Sequence, residues 1–437
     1  MDKHNNAPCP RVLIISHNAL SQTKNNGKTL RSFFGSWDRE NLAQFYITPE
    51  EPDWSVCKNY YLMRDIDILK SFFHKQKQFG TSLSQPSEKA DAFVQEDTCR
   101  IYTWIKGLYG KKLPLLSIIR DFFWKGRWKT PGLVQWLDAF SPQAVFLQCS
   151  APAIYELAFW VCDRYKIPLF LQITDDYVSG KFSIDPFFWI FLQRQRSVTR
   201  KAIQRAKKVI VIGEKMRDAY ARSFGGEYYI AMNSVQYEPK KETVKHRDYI
   251  EMVYTGNLGL NRWKVLSQIG QLCANDDELR NHVKIKIYSS SKLKAPVLEE
   301  LNIPGVMCFC GELNSEETRR KQQAADVLFH VESFDRKSRH ITRYSISTKI
   351  PEYLATGNCI FAVGPKDVAS IEYLQHYNLG IVQNSLDSKS CTKALKLLLD
   401  ENVRIVYGKH GVERVKKYHN QTCIQQDLYN MIVKYTL

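Results

Sequence analysis

Four short segments of this sequence carry side chains suited to gripping a charged, hydroxyl-rich ligand. In STKIPEYLATG, residues 347–357, Ser347 and Thr348 are residue types that open helices, Pro351 fits a first turn, and Gly357 can close the helix about two turns later. The amino end of so short a helix offers N–H groups and a positive partial charge to a phosphate. Glu352 lies four residues beyond Thr348 on the same face and can accept two hydroxyl hydrogen bonds from a ribose. It can equally return to the cap backbone in a capping box, and the spacing does not separate these readings.

In GNLGLNRWK, residues 256–264, Gly256 and Gly259 allow close backbone approach, while Arg262 and Lys264 open a helix with an apolar face of Val265, Leu266, Ile269 and Leu272. Amides at a helix start plus two cations suit a diphosphate; a turn glycine followed by solvated helix charges is the plainer alternative. HVESFD, residues 330–335, sets Glu332 after an apolar strand, and ITDDY, residues 173–177, does the same for Asp175 and Asp176. Solvated loop carboxylates have the same pattern. Adjacent aspartates diverge and no third ligand is evident, so no metal site is expected.

These segments are positioned by apolar runs that alternate with helical patterns. RVLIIS (11–16), AVFLQCS (144–150), PLFLQIT (168–174) and KKVIVIG (207–213) read as buried strands, with helices expected over Thr29–Trp37, Ala153–Tyr165 and Glu214–Phe224. A second series follows: EMVYTG (251–256), VKIKIYS (283–289), VMCFCG (306–311), DVLFHV (326–331), CIFAVG (359–364) and LGIVQ (379–383). Such alternation predicts an α/β fold of two doubly wound, Rossmann-like halves with parallel sheets, whose ligands bind beyond the carboxyl ends of the strands. The expected divisions are residues 1–238, with an insertion over about 50–130, then 239–411, and a C-terminal helix over 412–437. YEPKKETVKHR (237–247) lacks hydrophobic period and reads as a linker, while Val412, Val415, Ile424, Leu428, Met431 and Ile432 fall on one face of a single long helix.

The composition, 44% hydrophobic and 24% charged over 437 residues, is that of a folded protein rather than a disordered one. No apolar run reaches the roughly 18 residues of a spanning helix, and MDKHNNAPCP lacks a signal-peptide core, so retention in the cytosol is expected. Eleven dispersed cysteines without paired spacing read as mostly buried, reduced thiols. The formal charge of +17 favours an anionic partner. Between Arg100 and Lys129 eight Lys/Arg face one acid, Asp121, among seven Trp, Tyr and Phe residues, and Arg194–Lys208 holds seven Lys/Arg and no acid. The first stretch is expected to lie against an anionic membrane surface; a locally buried helix with solvated lysines is the alternative.

Taken together, the segments resemble the GT-B glycosyltransferases, in particular the retaining, family-four-like group that builds capsular and other surface polysaccharides. RVLIIS with its NNG loop resembles the first strand and glycine loop, PLFLQITDD the strand ending in HisAsp, MNSVQ (232–236) the end of the first domain, YTGNLGLNRWK the phosphate-binding segment, and HVESFD with STKIPEYLATG the paired-glutamate motif. The resemblance implies two domains facing across a cleft, with the C-terminal helix packing back toward the first. It implies donor binding by Gly256, Asn257, the amides of Ser347, Thr348 and Lys349, and Glu352 on the ribose. Catalytic roles fall to Glu332 at the donor sugar and to Arg262 and Lys264 at the diphosphate; Asn26, Gly27, Asp175 and Asp176 fall on the acceptor side. Three departures stand out: Thr174 replaces the family histidine, Asn257 replaces an arginine, and Glu332 and Glu352 are twenty positions apart instead of eight, with RKSRHITRYSI between them.

The implied activity moves a sugar from a nucleotide-diphosphate sugar to a glycan or lipid-linked saccharide, with retention, in surface polysaccharide assembly. No cofactor or metal is expected, and the enzyme would be cytoplasmic or peripheral on the inner face of the membrane. Competing readings are a nucleotide-sugar epimerase of the same architecture, a basic nucleic-acid-binding protein using the two cationic runs, and a P-loop nucleotidase. The last rests on GlyLysThr at 27–29 with Gln22 where its first glycine belongs.

Overall fold

Every side chain of VLIIS at Val12–Ser16 is buried, the pattern of a parallel strand covered on both faces. The structure, a computed structural model, describes residues 9–22, 25–73, 79–83, 113–180, 183–237 and 248–436. Readings that rest on residues 84–112 and 238–247, namely the first part of the basic aromatic stretch and most of the linker, lie outside them. The chain divides into two compact units, Met1–Ala231 with Cys423–Leu437, and Met232–Thr422.

In the first unit the strands are β1 (Val12–Ser16), β2 (Leu42–Tyr46), β3 (Asn59–Leu62), β4 (Thr81–Leu83), β5 (Ala144–Gln148), β6 (Leu169–Ile173), β7 (Ala206–Val211) and β8 (Tyr228–Ile230). They form one sheet in the order β4-β3-β2-β1-β5-β6-β7-β8, parallel except for β4 against β3. The order reverses between β1 and β5, the switch point of a doubly wound sheet. The described part of the expected insertion therefore belongs to the sheet: β3 and β4 extend it. Their runs, NYYL and TSL, are short, with a single leucine each among aromatic or polar residues, too little for an apolar run. Helix α1 runs Asn25–Phe34 rather than Thr29–Trp37. NNG opens this helix because a Cβ on Gly27 would lie 2.0 Å from the Ala19 carbonyl oxygen, so only glycine lets the loop after β1 pack there.

The second unit holds β9 (Ile250–Thr255), β10 (Val283–Tyr288), β11 (Met307–Gly311), β12 (Val327–Val331), β13 (Cys359–Val363) and β14 (Ile381–Gln383), parallel in the order β11-β10-β9-β12-β13-β14. Its switch point lies between β9 and β12. Val265, Leu266, Ile269 and Cys273 bury one face of α2 (Arg262–Asn275) in the core of this sheet.

The C-terminal stretch is two helices, α3 (Glu401–Tyr418) and α4 (Gln421–Thr436), and not one. The break is at His419 and Asn420, where the Val235 N–H donates to the His419 carbonyl and the Gln421 N–H to the Val235 carbonyl. Asn420 then accepts from the Thr422 N–H at 2.9 Å. Periodicity runs through the break because each helix is amphipathic on its own. Val415 packs in the second unit, whereas Ile424, Leu428 and Ile432 join Phe34 and Trp37 in the core of the first. The terminal helix thus packs into the first unit.

Candidate functional site

The loops after β9 and β12 meet because these neighbouring parallel strands end at the same edge of the sheet. After β9, Leu260 and Asn261 both hold left-handed backbone, φ 56° and 59°, a conformation strained for residues with a Cβ. The Asn261 amide donates to Asp335 Oδ2 at 3.1 Å, and Tyr254 Oη to the Asn257 carbonyl at 2.8 Å, which together hold the turn. Arg262 follows as the first residue of α2.

Its guanidinium grips Glu332 with Nη2 to Oε2 at 3.0 Å, Nη2 to Oε1 at 3.3 Å and Nε to Oε2 at 3.3 Å. The Glu332 side chain is 3% exposed and that of Arg262 20%, so the pair sits at the floor of a pocket with the cation toward its mouth. Burial raises the carboxyl above its ordinary range, while Arg262 and then Lys349 oppose the shift. His330 lies two residues before Glu332, on the same face of β12, with Nε2 3.6 Å from Glu332 Oε1. Burial, Arg262 and Lys349 push its pKa down to about 3, so it is neutral at physiological pH. Its Nε2 is buried without a hydrogen-bond partner among the described residues.

The segment RKSRHITRYSI forms helix α5 (Arg336–Thr342) and its exit. Asp335 caps α5 by accepting from the Lys337 N–H at 3.0 Å and the Ser338 N–H at 3.2 Å. These bonds, the one from Asn261 and, first, that with the Ser338 side chain pull its pKa down to about 2. The excursion returns the chain to the pocket at Thr342, Ser345 and Ile346, which line it. Helix α6 (Lys349–Ala355) then begins at Thr348. The Tyr353 hydroxyl fixes it by accepting from the Thr255 N–H at 3.1 Å and pairing with Thr255 Oγ1 at 3.0 Å.

The resulting pocket holds about 220 Å³ and is lined by Tyr254, Thr255, Asn257, Arg262, His330 to Glu332, Thr342, Ser345 to Lys349 and Tyr353. Of the expected residues it gathers Asn257, Arg262, Glu332, Ser347, Thr348 and Lys349. Gly256 adjoins it: a Cβ there would lie 2.5 Å from Lys349 Nζ, so the glycine leaves room for that ammonium. The Ser347 N–H donates to the buried Ser370 Oγ at 2.9 Å and the Lys349 N–H to Ser347 Oγ at 3.4 Å, whereas the Thr348 N–H has no partner among the described residues. Thr348 makes no side-chain cap bond, so the capping-box alternative is not realised. Glu352 lies half-buried in the first turn of α6, outside the pocket lining. Lys264 is also outside, with its ammonium 5.5 Å over the Trp263 ring.

In the first unit, Asn26 is half-buried and Gly27 buried at the start of α1. Asp175 is exposed and accepts from Tyr177 Oη at 3.3 Å; Asp176 closes a turn by accepting from the Ser179 N–H at 3.0 Å. Thr174 pairs with Tyr177 Oη at 3.2 Å. Across the switch point His17 Nε2 meets Ser150 Oγ at 3.0 Å.

The side chains of His330, Tyr353 and Lys349 join the pocket beyond those expected from the sequence. His330 had a visible signal: a polar residue at i−2 from Glu332 in an otherwise apolar strand shares its face. Nothing local marks Tyr353, whose partner Thr255 lies 98 positions away.

No family model and no curated protein matches the sequence. Solved structures do. Anabaena HepE, crystallised with UDP, superposes with a TM-score of 0.63 at 11% identity, over 97% of this chain and 100% of that one. TarM gives 0.60 at 10% identity over 99% and 100%, and WaaG, a glycosyltransferase involved in lipopolysaccharide biosynthesis, 0.53 at 11% over 97% and 98%. These neighbours are GT-B glycosyltransferases matched along nearly their whole length. This chain has the GT-B fold. Within the GT-B frame the pocket lies at the switch point of the second sheet, where a parallel α/β sheet presents its ligand crevice.

Proposed function

We propose that this GT-B chain transfers a glycosyl group from a nucleoside-diphosphate sugar to a saccharide or lipid-linked acceptor. The observation that carries the reading is the juxtaposition of Arg262, Lys349 and the Thr348 amide around one pocket beside the buried Glu332. Two cations and a free helix-start amide match a diphosphate, and the carboxylate with neutral His330 matches sugar hydroxyls. HepE binding UDP within a similar frame supports a uridine diphosphate donor.

In the transfer, the bond from the anomeric carbon to the diphosphate oxygen breaks and a bond to the acceptor oxygen forms. The acceptor proton passes to the departing diphosphate, whose charge Arg262 and Lys349 stabilise, and no metal or cofactor takes part. Retention and a role in surface polysaccharide assembly are proposed on the family resemblance, and a place at the cytoplasmic face of a membrane on the missing signal-peptide core and the basic aromatic stretch. Glu352 is the proposed ribose ligand, reached as the donor extends beyond the pocket along α6. Glu352→Ala is expected to weaken UDP binding about tenfold in calorimetry, by loss of a charge-assisted hydrogen bond, with the melting temperature unchanged. UDP bound equally well by the variant would remove the ribose assignment, and no UDP binding by the parent protein would remove the donor reading.

A further inference from the structure

Of the fourteen exposed large apolar residues described, eight fall in two short segments, 113–122 and 184–190. The first belongs to helix Pro114–Trp124 and the second leads into helix Pro186–Arg205, and these two helices pack on each other within the first unit. Arg194 locks them together, Nε to Asp121 Oδ2 at 3.0 Å, while its Nη2 reaches Glu156 Oε1 at 2.7 Å. Phe122, 70% exposed, stands beside Asp121, and Ile190, 55% exposed, stands one turn before Arg194, so the apolar side chains flank this single junction.

The rest of the surface there has a consistent chemistry. Lys125, Arg127 and Lys129 are exposed just beyond Phe122, and no Asp or Glu is exposed among residues 113–129 and 183–193. Trp124 and Trp128 are instead buried, and Arg120 pairs with Asp65 at 2.8 Å, so the helix is anchored from its other side. Uncovered aromatic and aliphatic side chains rimmed by cations match the boundary between the headgroups and acyl chains of an anionic bilayer. No described helix is long and apolar enough to cross one.

We propose that this two-helix face, including the start of helix Pro186–Arg205, is the surface by which the chain sits on an anionic membrane, with Phe122 and Ile190 inserted and Lys125, Arg127 and Lys129 at the headgroups. Its purpose, access to a lipid-linked acceptor, rests on the proposed function; its chemistry rests on the surface alone.

The test is sedimentation of the full chain with vesicles of phosphatidylcholine, alone or mixed with phosphatidylglycerol. Binding is expected only to the mixed vesicles and weakens as salt is raised. Phe122→Glu and Ile190→Glu should each lower the partition about tenfold or more, by removing an inserted apolar group and adding a repelled charge. Ile405→Glu, at an exposed apolar position of the second unit, should bind as the parent does. Thermal stabilisation by UDP, measured on every variant, reports the fold and the donor site separately. Failure of the parent chain to bind mixed vesicles, or variants that bind unchanged, would overturn the proposal. So would a dimer that both variants dissociate, which would assign the face to a second copy. Vesicle binding without UDP binding would leave the membrane face standing and remove the donor reading.

Discussion

Replacing Arg262 with alanine separates its two roles, as the partner of Glu332 and as a ligand for the diphosphate. The substitution leaves a carboxylate that is 3% exposed without its bidentate partner. Removing one member of a buried pair costs about 3–5 kcal/mol, and because the Arg262 side chain keeps 20% of its surface the expected loss is near the lower end, about 3 kcal/mol. That corresponds to a fall in melting temperature of roughly 6–12 °C. The loss should depend on pH. Glu332 already binds its proton more readily in the folded chain than its ordinary value, and without Arg262 this shift grows. The folded variant then holds a proton that the unfolded chain has released, so the variant gains stability relative to the parent as pH falls. Adding Glu332→Gln removes the stranded charge, and the double variant should return to within about 1 kcal/mol of the parent. UDP affinity should not return: both variants should bind roughly 10- to 100-fold more weakly in calorimetry. A single variant as stable as the parent, or a double variant that recovers UDP binding, would refute the reasoning.

Tyr353→Phe leaves the Thr255 N–H short of an acceptor and should cost about 1–3 kcal/mol in urea unfolding, with weaker UDP binding as α6 loses its tie to β9. Gly256→Ala puts a Cβ 2.5 Å from where Lys349 Nζ now lies, at a φ of 159° that a residue with a Cβ rarely adopts, and should reduce UDP affinity about tenfold in calorimetry together with a stability loss of about 1–3 kcal/mol. Burial lowers the pKa of His17 to about 4 and of His330 and His419 to about 3. Since the unfolded chain takes up protons below about pH 6.5 that the folded chain refuses, each histidine removes about 1.4 kcal/mol per pH unit as pH falls from there toward 4. His330→Gln should flatten that slope in denaturant titrations at successive pH values, and an unchanged slope would show that His330 is not held neutral.

By itself the sequence determined the two alternating strand-helix series, the loops that could carry chemistry, and the short helix at STKIPEYLATG, because buried parallel strands and capped helices write their periods and breakers locally. Arg262 and Glu332 were legible as residue types at strand ends. Their contact was decided by strand order: β9 and β12 are neighbours at a switch point although 70 residues separate the two side chains. Tertiary structure also decided that RKSRHITRYSI folds as a helix capped by Asp335, which carries the chain back to the pocket despite the long spacing. It turned Lys349 from a backbone donor into a side chain beside Gly256, sent Lys264 away over Trp263, and split the C-terminal helix between two cores. Local pattern records which face a residue shares with its sequence neighbours. It does not record which distant loop that face meets, and the charge of this pocket depends on that meeting.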